Sequence, residues 1–250
     1  MIVSAQVKSG LTYGETSGAG FKLKRTAKEG VRRTSHDICA IWVDRDGDRV
    51  FWAYLHPNSS TAPQIYGQHH EVSPAMRYDL GRFRGRNASI PVGGKGVIIA
   101  SKAGSSFRAS RKIALSHYRA LTPVKSPVMG DIEFTRIGWR HMFRRSRAAL
   151  NKAASIEIVP HLQRILSQRP SAHTVTLIGI ENNGGYEHRI CEHLLKFDQV
   201  LIDKPGTARK RVTAHFRLVE DIRYYEKWKE SAMLSQQVER RVVLKSAYYK

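Results

Sequence analysis

The chain has 250 residues and a formal net charge of +21, from 42 Lys and Arg against 21 Asp and Glu. Both halves are basic: 20 basic and 8 acidic residues lie up to Lys125, and 22 and 13 lie beyond it. A charge this large repels itself in a compact protein, and neutralisation by a polyanion with release of counterions offsets the repulsion. The composition therefore favours RNA as the partner, with DNA or a nucleoprotein complex as alternatives, over a membrane surface, because no basic amphipathic helix stands out.

The rest of the composition excludes several other classes of protein. No apolar run approaches the roughly 18 residues that cross a membrane, and Met1–Gly20 lacks the apolar segment of a signal peptide. Cys39 and Cys191 are too few for a disulfide framework. Hydrophobic residues make up 41% of the chain, enough for a packed core. We expect a protein of the bacterial cytoplasm, with a virion as the alternative location, and the oligomeric state stays open.

The first half is expected to hold an arm and a small domain. Residues 1–35 are rich in Gly, Ser, Thr, Lys and Arg, which predicts a flexible basic arm. Residues 36–125 are interpreted as a basic, β-rich nucleic-acid-binding domain. It opens with a hairpin of Ile38–Val43 and Val50–Leu55, because the intervening D-R-D-G-D contains an Asp-Gly turn signal.

Residues 130–250 predict a second domain, beyond a boundary at Thr122–Gly130 that holds two prolines and a glycine. Asp131–Thr135 is expected to be a short strand, followed by helices at Arg136–Ala149 and Ser155–Ser167. Strands are then expected at His173–Ile180, Glu187–Leu195, Gln199–Asp203, Lys210–Leu218 and Arg240–Tyr249. The expected fold class is α+β, with two C-terminal helices packed on an antiparallel meander sheet and a small β-rich basic N-terminal domain.

A long acid-free stretch is the main expected contact surface for nucleic acid. Leu80–Gly130 contains ten basic residues and no acidic one, and Phe83, Phe107 and Tyr118 alternate with the cations. Cations contact phosphates and aromatic faces stack on unpaired bases, although these aromatic rings are equally compatible with a place in the core. The G-G-K-G segment lacks the spacing of a Walker loop and is interpreted as a turn. The predicted nucleic-acid-binding residues are Arg82, Arg84, Arg86, Lys95, Lys102, Arg108, Arg111, Lys112, Arg140, Arg144, Arg145 and Lys245.

Candidate catalytic groups lie in the second half. Metal-free RNA cleavage needs a base for the 2′-hydroxyl, a cation for the phosphorane and an acid for the leaving 5′-oxygen. His141, on a helix among arginines, and His215, on a strand, are the predicted base and acid, because histidine titrates near neutral pH. The neighbouring cations should lower the pKa of His141. Residues an even number apart share a strand face, which pairs Arg211 with His215 and Ser246 with Tyr248.

A resemblance points to the same chemistry. The pattern F-T-x-x-G-W-R-H after a short strand, then a second helix, meandering strands and a closing V-V-L-K-S-A-Y-Y, resembles the barnase/EndoU/colicin/RelE-like ribonuclease superfamily, in particular its phage- and mobile-element-encoded branches. It covers roughly residues 130–250. The resemblance implies RNA cleavage by a helix histidine, a strand-borne basic or polar group and a closing-strand hydroxyl or aromatic. The matching residues are His141, Arg211 or His215, and Ser246 or Tyr248, where many members carry Thr in place of Ser246.

No metal and no other cofactor is expected. His188, Cys191 and His193 are ligand-type residues, but positions 188 and 191 of a strand face opposite sides and a fourth zinc ligand is not evident. His69 and His70, with His56 nearby, are interpreted as exposed loop residues. The acidic residues form no cluster of the kind that a two-metal nuclease needs.

Functions of different classes remain open on sequence alone. The favoured prediction is a metal-independent endoribonuclease of toxin or phage type. The alternative is a non-catalytic RNA- or DNA-binding protein of a phage or mobile element that binds or inhibits a host nucleic-acid machine. A structural component of a ribosome or virion is a third possibility. Cleavage of RNA in the presence of EDTA separates the first function from the other two.

Overall fold

The computed structural model of the chain describes residues 4–31, 36–58, 60–87, 96–100, 106–203 and 205–250. The chain divides into two compact units, Met1–Phe83 and Arg84–Lys250. The division therefore falls well before the Thr122–Gly130 segment expected from its prolines and glycine. Within the described residues, no helix is long and apolar enough to cross a membrane.

The first unit is built on two three-stranded sheets, with strand orders β1-β4-β5 and β2-β3-β6. The strands are β1 Ser4–Ser9, β2 Gly14–Ser17, β3 Gly20–Leu23, β4 Ile38–Asp44, β5 Arg49–Leu55 and β6 Gln64–Tyr66, and the helices are α1 Arg25–Glu29 and α2 Met76–Asn87, which runs across the division. The expected hairpin is confirmed, because β4 and β5 pair antiparallel. Its turn contains Asp48 at φ 47°.

Residues 4–31 form three strands and a helix instead of a flexible arm. The cause is a set of aromatic contacts that local composition does not reveal. The ring of Phe21 stacks on Phe51 and Tyr66, with centroids 5.0 and 5.1 Å apart, and on Trp42 at 5.9 Å. Burial of these large rings stabilises the N-terminal strands against the entropy of a free chain.

The second unit carries the five-stranded sheet that positions the candidate site, and a separate pair of short strands, β8 and β9. The strands of this unit are β7 Val97–Ala100, β8 Val124–Ser126, β9 Gly130–Ile132, β10 Ala172–Asn183, β11 Tyr186–Asp203, β12 Lys210–Tyr225 and β13 Val238–Tyr249. Its helices are α3 Phe107–Arg119, α4 Arg136–Met142, α5 Ala149–Ile158, α6 Leu162–Leu166 and α7 Ala232–Gln236. Strands β10 to β13 pair in that order, all antiparallel, and β7 joins β11 in parallel.

The expected fold class is wrong. The described part of the chain has four sheets, the five-stranded one is curled into a half-barrel, and helices are spread along the chain. The two helices expected near the start of the second domain are replaced by α4, α5 and α6, because the backbone leaves the helical region at Phe143, at φ −118° and ψ 18°. A single turn of 3-10 helix containing Pro160 then separates α5 from α6, as expected for a residue that lacks a backbone N–H.

Alternation along the strands gives the sheet an inner and an outer face. On the inner face, Leu195, Phe216 and Leu244 are fully buried in one apolar core with Ile158 of α5 and Leu162 of α6. Because neighbouring residues of a strand point to opposite sides, the residues between them face outward. The outer face is defined here by the rows in which Lys196, His215 and Tyr248 pair across three strands, and Leu194, Arg217 and Ser246 pair in the next row.

Two contacts bring the α4–α5 segment to the edge of β13. The Ser155 hydroxyl donates to the Ala247 carbonyl at 2.6 Å, which ties α5 to the end of the strand. Gly138 of α4 packs directly on β13: a Cβ atom at this position would lie 2.2 Å from the carbonyl oxygen of Leu244. Since only glycine permits this approach, α4 is held directly against β13, the last strand of the sheet.

Candidate functional site

The candidate site is centred on a stacked pair of rings on the outer face. His215 of β12 pairs in register with Lys196 of β11 on one side and with Tyr248 of β13 on the other. The imidazole of His215 stacks on the Tyr248 ring, with centroids 5.2 Å apart and 10° between the planes. All three side chains are half-buried. The register of three long strands thus places a histidine, a phenol and an ammonium in one row, as opposite positions of an antiparallel sheet require.

The adjoining row adds two cations and a carboxylate. A register shift between Arg217 and Leu218 leaves Lys245 as an extra residue in β13, which is a β-bulge that re-aims its side chain. The Lys245 ammonium contacts Glu192 Oε2, and Arg217 Nη1 lies 3.6 Å from Glu192 Oε1. Glu192 therefore holds both cations at the same part of the outer face.

The segment after α4 supplies a half-buried guanidinium to the same place. Arg147 Cζ lies 5.0 Å from the centroid of the Tyr248 ring, a cation–π arrangement. Burial lowers the pKa of Arg147, the Tyr248 phenol opposes this, and the charges of Arg144 and Arg217 lower it further. Arg147 thus lies among Tyr248, Arg144 and Arg217, and links the α4–α5 segment to the sheet.

His141 lies in the last turn of α4 and faces the same charges. Its pKa is lowered chiefly by burial, then by Lys245, Arg144 and Arg147, while Glu192 raises it. The pKa effect of neighbouring cations was expected for His141, but partial burial is the larger cause. The groups that act on His141 include both residues of the Lys245–Glu192 pair, so α4 presents this histidine to the outer face of the sheet.

His215 has a matching environment. Burial lowers its pKa first, followed by the charges of Lys196 and Lys250, whereas Asp198 raises it and Arg217 lowers it. The Asp198 carboxylate accepts a hydrogen bond of 2.9 Å from the Thr213 hydroxyl, which fixes its position. Burial and the surrounding cations therefore favour the neutral form of both histidines, and each has one carboxylate among several cations.

These groups are called the basic cluster below. Arg147 and Arg217 connect its two halves, because Arg147 acts on His141 and contacts Tyr248, and Arg217 acts on both His215 and Arg147. The basic cluster consists of His141, Arg144, Arg147, Lys196, His215, Arg217, Lys245, Tyr248 and Lys250.

Two of the predicted catalytic residues, Arg211 and Ser246, are not part of the basic cluster. Arg211 is exposed near the start of β12, four residues from His215 and so about 13 Å along the strand. Ser246 shares a row with Arg217 but is buried, with 6% of its surface exposed. His215 stacks on Tyr248, the closing-strand group of the cluster. His141 is linked to Tyr248 through Arg147, which acts on the pKa of His141 and contacts the Tyr248 ring.

Sequence reasoning missed Arg147, Lys196 and Arg217. Arg217 follows His215 by two residues and so shares its strand face, which was a readable signal. Lys196 is brought to His215 only by the register of β11 on β12. Arg147 comes from an irregular segment whose direction has no local sequence signal.

The predicted nucleic-acid-binding residues separate into three groups. Arg82 is buried and ion-paired with Asp79, so it is not available to a polyanion. Lys95, Lys102 and the side chains of Arg84 and Arg86 lie outside the described residues. Those on the surface are Arg108, Arg111 and Lys112 of α3, Arg140 of α4, and Arg144 and Arg145 after it, whereas Lys245 is half-buried beside Glu192.

The aromatic residues of the acid-free stretch differ in how far they are exposed. Phe107 is half exposed, at 50%. Tyr118 is a core residue whose hydroxyl donates to the Thr135 carbonyl at 3.0 Å, and the side chain of Phe83 lies outside the described residues. Of the three rings, Phe107 is therefore the one whose described environment leaves it open to a stacking partner.

The ligand-type histidines make other contacts. His193 is wholly buried on the inner face, where its Nε2 lies 3.1 Å from Glu220 Oε2 and its Nδ1 lies 2.9 Å from His173 Nε2. His188, on the outer face, lies 3.2 Å from Asp221. Among the residues that the structure describes, no group of three or more His, Cys, Asp or Glu is arranged to hold a metal ion.

Comparisons with known proteins return no relative. No protein-family model matches the chain, and no curated protein and no solved structure matches it. The geometry of the basic cluster and the quoted sequence patterns therefore carry the functional reasoning.

Proposed function

We propose that the basic cluster binds RNA and cleaves it without a metal ion, with His141 and His215 as the proton-transfer groups. The observation that carries the proposal is the link through two arginines: Arg147 contacts Tyr248 and acts on His141, and Arg217 acts on both Arg147 and His215. In this proposal, a phosphodiester held by these two guanidinium groups meets both imidazoles. The resemblance of residues 130–250 to the ribonuclease superfamily supports the same chemistry.

Electrostatics supports an anionic substrate at this point. Burial, followed by the cations of the basic cluster, depresses the pKa of both histidines and of Arg147, so the positive charges of the cluster repel one another. A bound phosphate removes part of that repulsion and raises the pKa of each imidazole. Substrate binding therefore prepares one histidine to carry the proton that the reaction needs.

The reaction is a transesterification that needs only proton transfers and charge stabilisation. The neutral imidazole of His141 accepts the proton of the 2′-hydroxyl, and the 2′-oxygen forms a bond to phosphorus. Arg147 and Arg217 stabilise the extra negative charge of the phosphorane. The bond from phosphorus to the 5′-oxygen then breaks, and protonated His215 donates its proton to that oxygen. The products are a 2′,3′-cyclic phosphate and a 5′-hydroxyl.

The assignment of base and acid is the remaining part of the proposal. After burial, Lys245, Arg144 and Arg147 outweigh Glu192 at His141, which favours the neutral, proton-accepting form. At His215, Lys196 and Lys250 also lower the pKa more than Asp198 raises it. The negative charge of the bound phosphate, added to that of Asp198, therefore lets His215 carry the proton that it donates.

The experiment is cleavage of end-labelled single-stranded RNA by the full-length protein in EDTA. The proposal predicts fragments that end in 2′,3′-cyclic phosphate and begin with 5′-hydroxyl. Intact RNA in both EDTA and magnesium would replace it with the non-catalytic RNA- or DNA-binding function. An RNA substrate places the activity in the bacterial cytoplasm, or in a virion that enters it, as expected for a toxin- or phage-type enzyme.

A further inference from the structure

A groove beside the basic cluster has the chemistry of a nucleobase site. It has a volume of about 580 Å³ and lies where α3 and α4 meet the residues just before α4. Its aromatic walls are Tyr118, Phe134 and Trp139, and its charged walls are Arg119, Arg136 and Arg140. It is called the α3–α4 groove below.

The aromatic walls are fixed in place by packing. The Tyr118 and Trp139 rings have centroids 5.4 Å apart, and Phe134 meets Tyr118 edge-on at 6.0 Å. Trp139 and Phe134 are half-buried against the core of the unit, and Tyr118 is buried. A rigid aromatic wall of this kind loses little side-chain entropy when a flat ligand stacks on it.

The arginines of the groove are exposed and lie outside the ion pairs found in the described residues: Arg119, Arg136 and Arg140. Their unneutralised charge, beside apolar rings, favours a ligand that is both flat and anionic. A nucleotide has both properties, since its base stacks on aromatic rings and its phosphate pairs with guanidinium groups. An acidic peptide supplies the charge but not the flat ring.

The sequence position of the groove connects it to the cluster. Arg140 lines the groove and the next residue, His141, belongs to the basic cluster. Consecutive Cα atoms are about 3.8 Å apart, so α4 carries one residue of each surface on neighbouring positions. The groove and the cluster therefore share α4, and one RNA strand is long enough to meet both surfaces.

We propose that the α3–α4 groove binds an unpaired base of the RNA whose phosphate is held at the basic cluster. The inference rests on the proposed function and deepens it, because it specifies single-stranded RNA as the substrate. A paired base in an A-form helix is stacked between its neighbours and does not enter such a groove. Base stacking on Trp139 then positions the strand, and the arginines hold the backbone on either side.

The test compares two uncleavable oligonucleotides with equal charge. One is a short 2′-O-methyl oligouridylate and the other is the same backbone without bases, and the affinity of the full-length protein for each is measured at equilibrium. The wild-type protein should bind the base-containing strand about 5- to 150-fold more tightly, the range of one aromatic–base stack. Trp139→Leu should bring this ratio close to one while leaving the affinity for the abasic strand unchanged.

Two further variants make the result specific to the groove. Ile137→Ala changes an α4 side chain that is 64% exposed and does not line the groove, and it should leave the ratio as in the wild type. Phe134→Leu removes another half-buried ring of the groove and should also lower the ratio, and it replaces Trp139→Leu as the test if circular dichroism shows that variant to be unfolded.

The outcomes separate the two proposals. A wild-type ratio near one, or a ratio that survives both Trp139→Leu and Phe134→Leu, overturns the base site while RNA cleavage stands. Stronger competition by poly-glutamate than by the oligouridylate also overturns it, in favour of an acidic protein partner. A protein that binds neither oligonucleotide contradicts the base site and the proposed function together.

Discussion

Gly138 and Leu244 are in such close contact that α4 has no room for a side chain at its crossing with β13. A Cβ atom on Gly138 would lie 2.2 Å from the Leu244 carbonyl oxygen and 2.7 Å from the Tyr118 hydroxyl oxygen. Because α4 carries His141 and Trp139, this one contact sets the position of both the basic cluster and the α3–α4 groove.

Gly138→Ala should therefore displace α4, which lowers both the rate of RNA cleavage and the free energy of unfolding. Overpacking of this kind costs about 1–3 kcal/mol of unfolding free energy, which chemical denaturation measures. Gly81→Ala is the matched control, since it is a helical glycine with nothing within 4 Å of an added Cβ. It should be neutral or stabilising, by up to about 1 kcal/mol. Equal stability of the two variants would contradict the packing of α4 on β13.

A buried polar row across four strands predicts a large stability effect. His173, His193, Glu220 and Arg240 contact one another in sequence, at 2.9, 3.1 and 2.6 Å. His193 and Glu220 are wholly buried. Glu220→Ala leaves buried His193 and half-buried Arg240 without this carboxylate, which should cost about 3–5 kcal/mol in the free energy of unfolding.

Glu239→Ala is the control for that measurement. Glu239 also pairs with an arginine across β12 and β13, Arg223, but its side chain is 73% exposed. Its loss should cost less than about 1 kcal/mol. A similar loss for the two variants would show that the row around Glu220 is solvated, contrary to its burial.

The sequence predicts those parts of the fold in which the residues that contact one another are close together along the chain. The β4–β5 hairpin was predicted because apolar runs flank an Asp-Gly turn. The parallel pairing of β7 with β11 was not predicted, because the partner residues in β11 lie about a hundred residues further along the chain. Helix α3 was missed because only Ala114 and Tyr118 of its thirteen residues are buried. Its basic residues were therefore interpreted as a binding stretch and not as a helix face.

The candidate site was predictable where it depends on residue type and on the alternation of side chains along a strand. His141, His215 and Tyr248 were identified from chemistry, and the structure stacks His215 on Tyr248 and places Arg147 near both Tyr248 and His141. The even spacing of Ser246 and Tyr248 placed both on one strand face, but spacing does not determine how deeply a side chain is buried, and Ser246 is buried. Lys196 depends on strand register, which a single sequence does not specify.

The pH dependence of cleavage follows from the lowered pKa values of the two histidines. Burial and neighbouring cations place the pKa of both His141 and His215 below the usual 6.5. The reaction needs one ring neutral and one protonated, so kcat/KM, which reports the free enzyme, should peak below about pH 6.5. The kcat profile should peak at higher pH, because bound phosphate raises both pKa values. A kcat/KM optimum above pH 8 would contradict this environment.

Salt should weaken RNA binding in proportion to the number of phosphate contacts. For single strands, the slope of log affinity against log salt changes by about 0.7 for each contact. Arg217→Gln should lower that slope by about this amount, whereas Arg164→Gln, on the exposed side of α6, should leave it unchanged. Affinities that barely differ between about 50 and 200 mM salt would show that the net charge does not drive binding.

The most direct measurement of the central claim is the single-turnover cleavage rate of RNA in EDTA for His141→Ala and His215→Ala. Removal of one acid–base group lowers the rate by about 10²–10⁴-fold, so we expect each variant to lose that much activity while RNA affinity stays within a few fold of wild type. His188→Ala is the control, because His188 lies on the same outer face beside Asp221, in the row of Arg223 and away from the cluster. It should retain full activity. Cleavage at the wild-type rate by His141→Ala or His215→Ala would contradict their roles as catalytic groups.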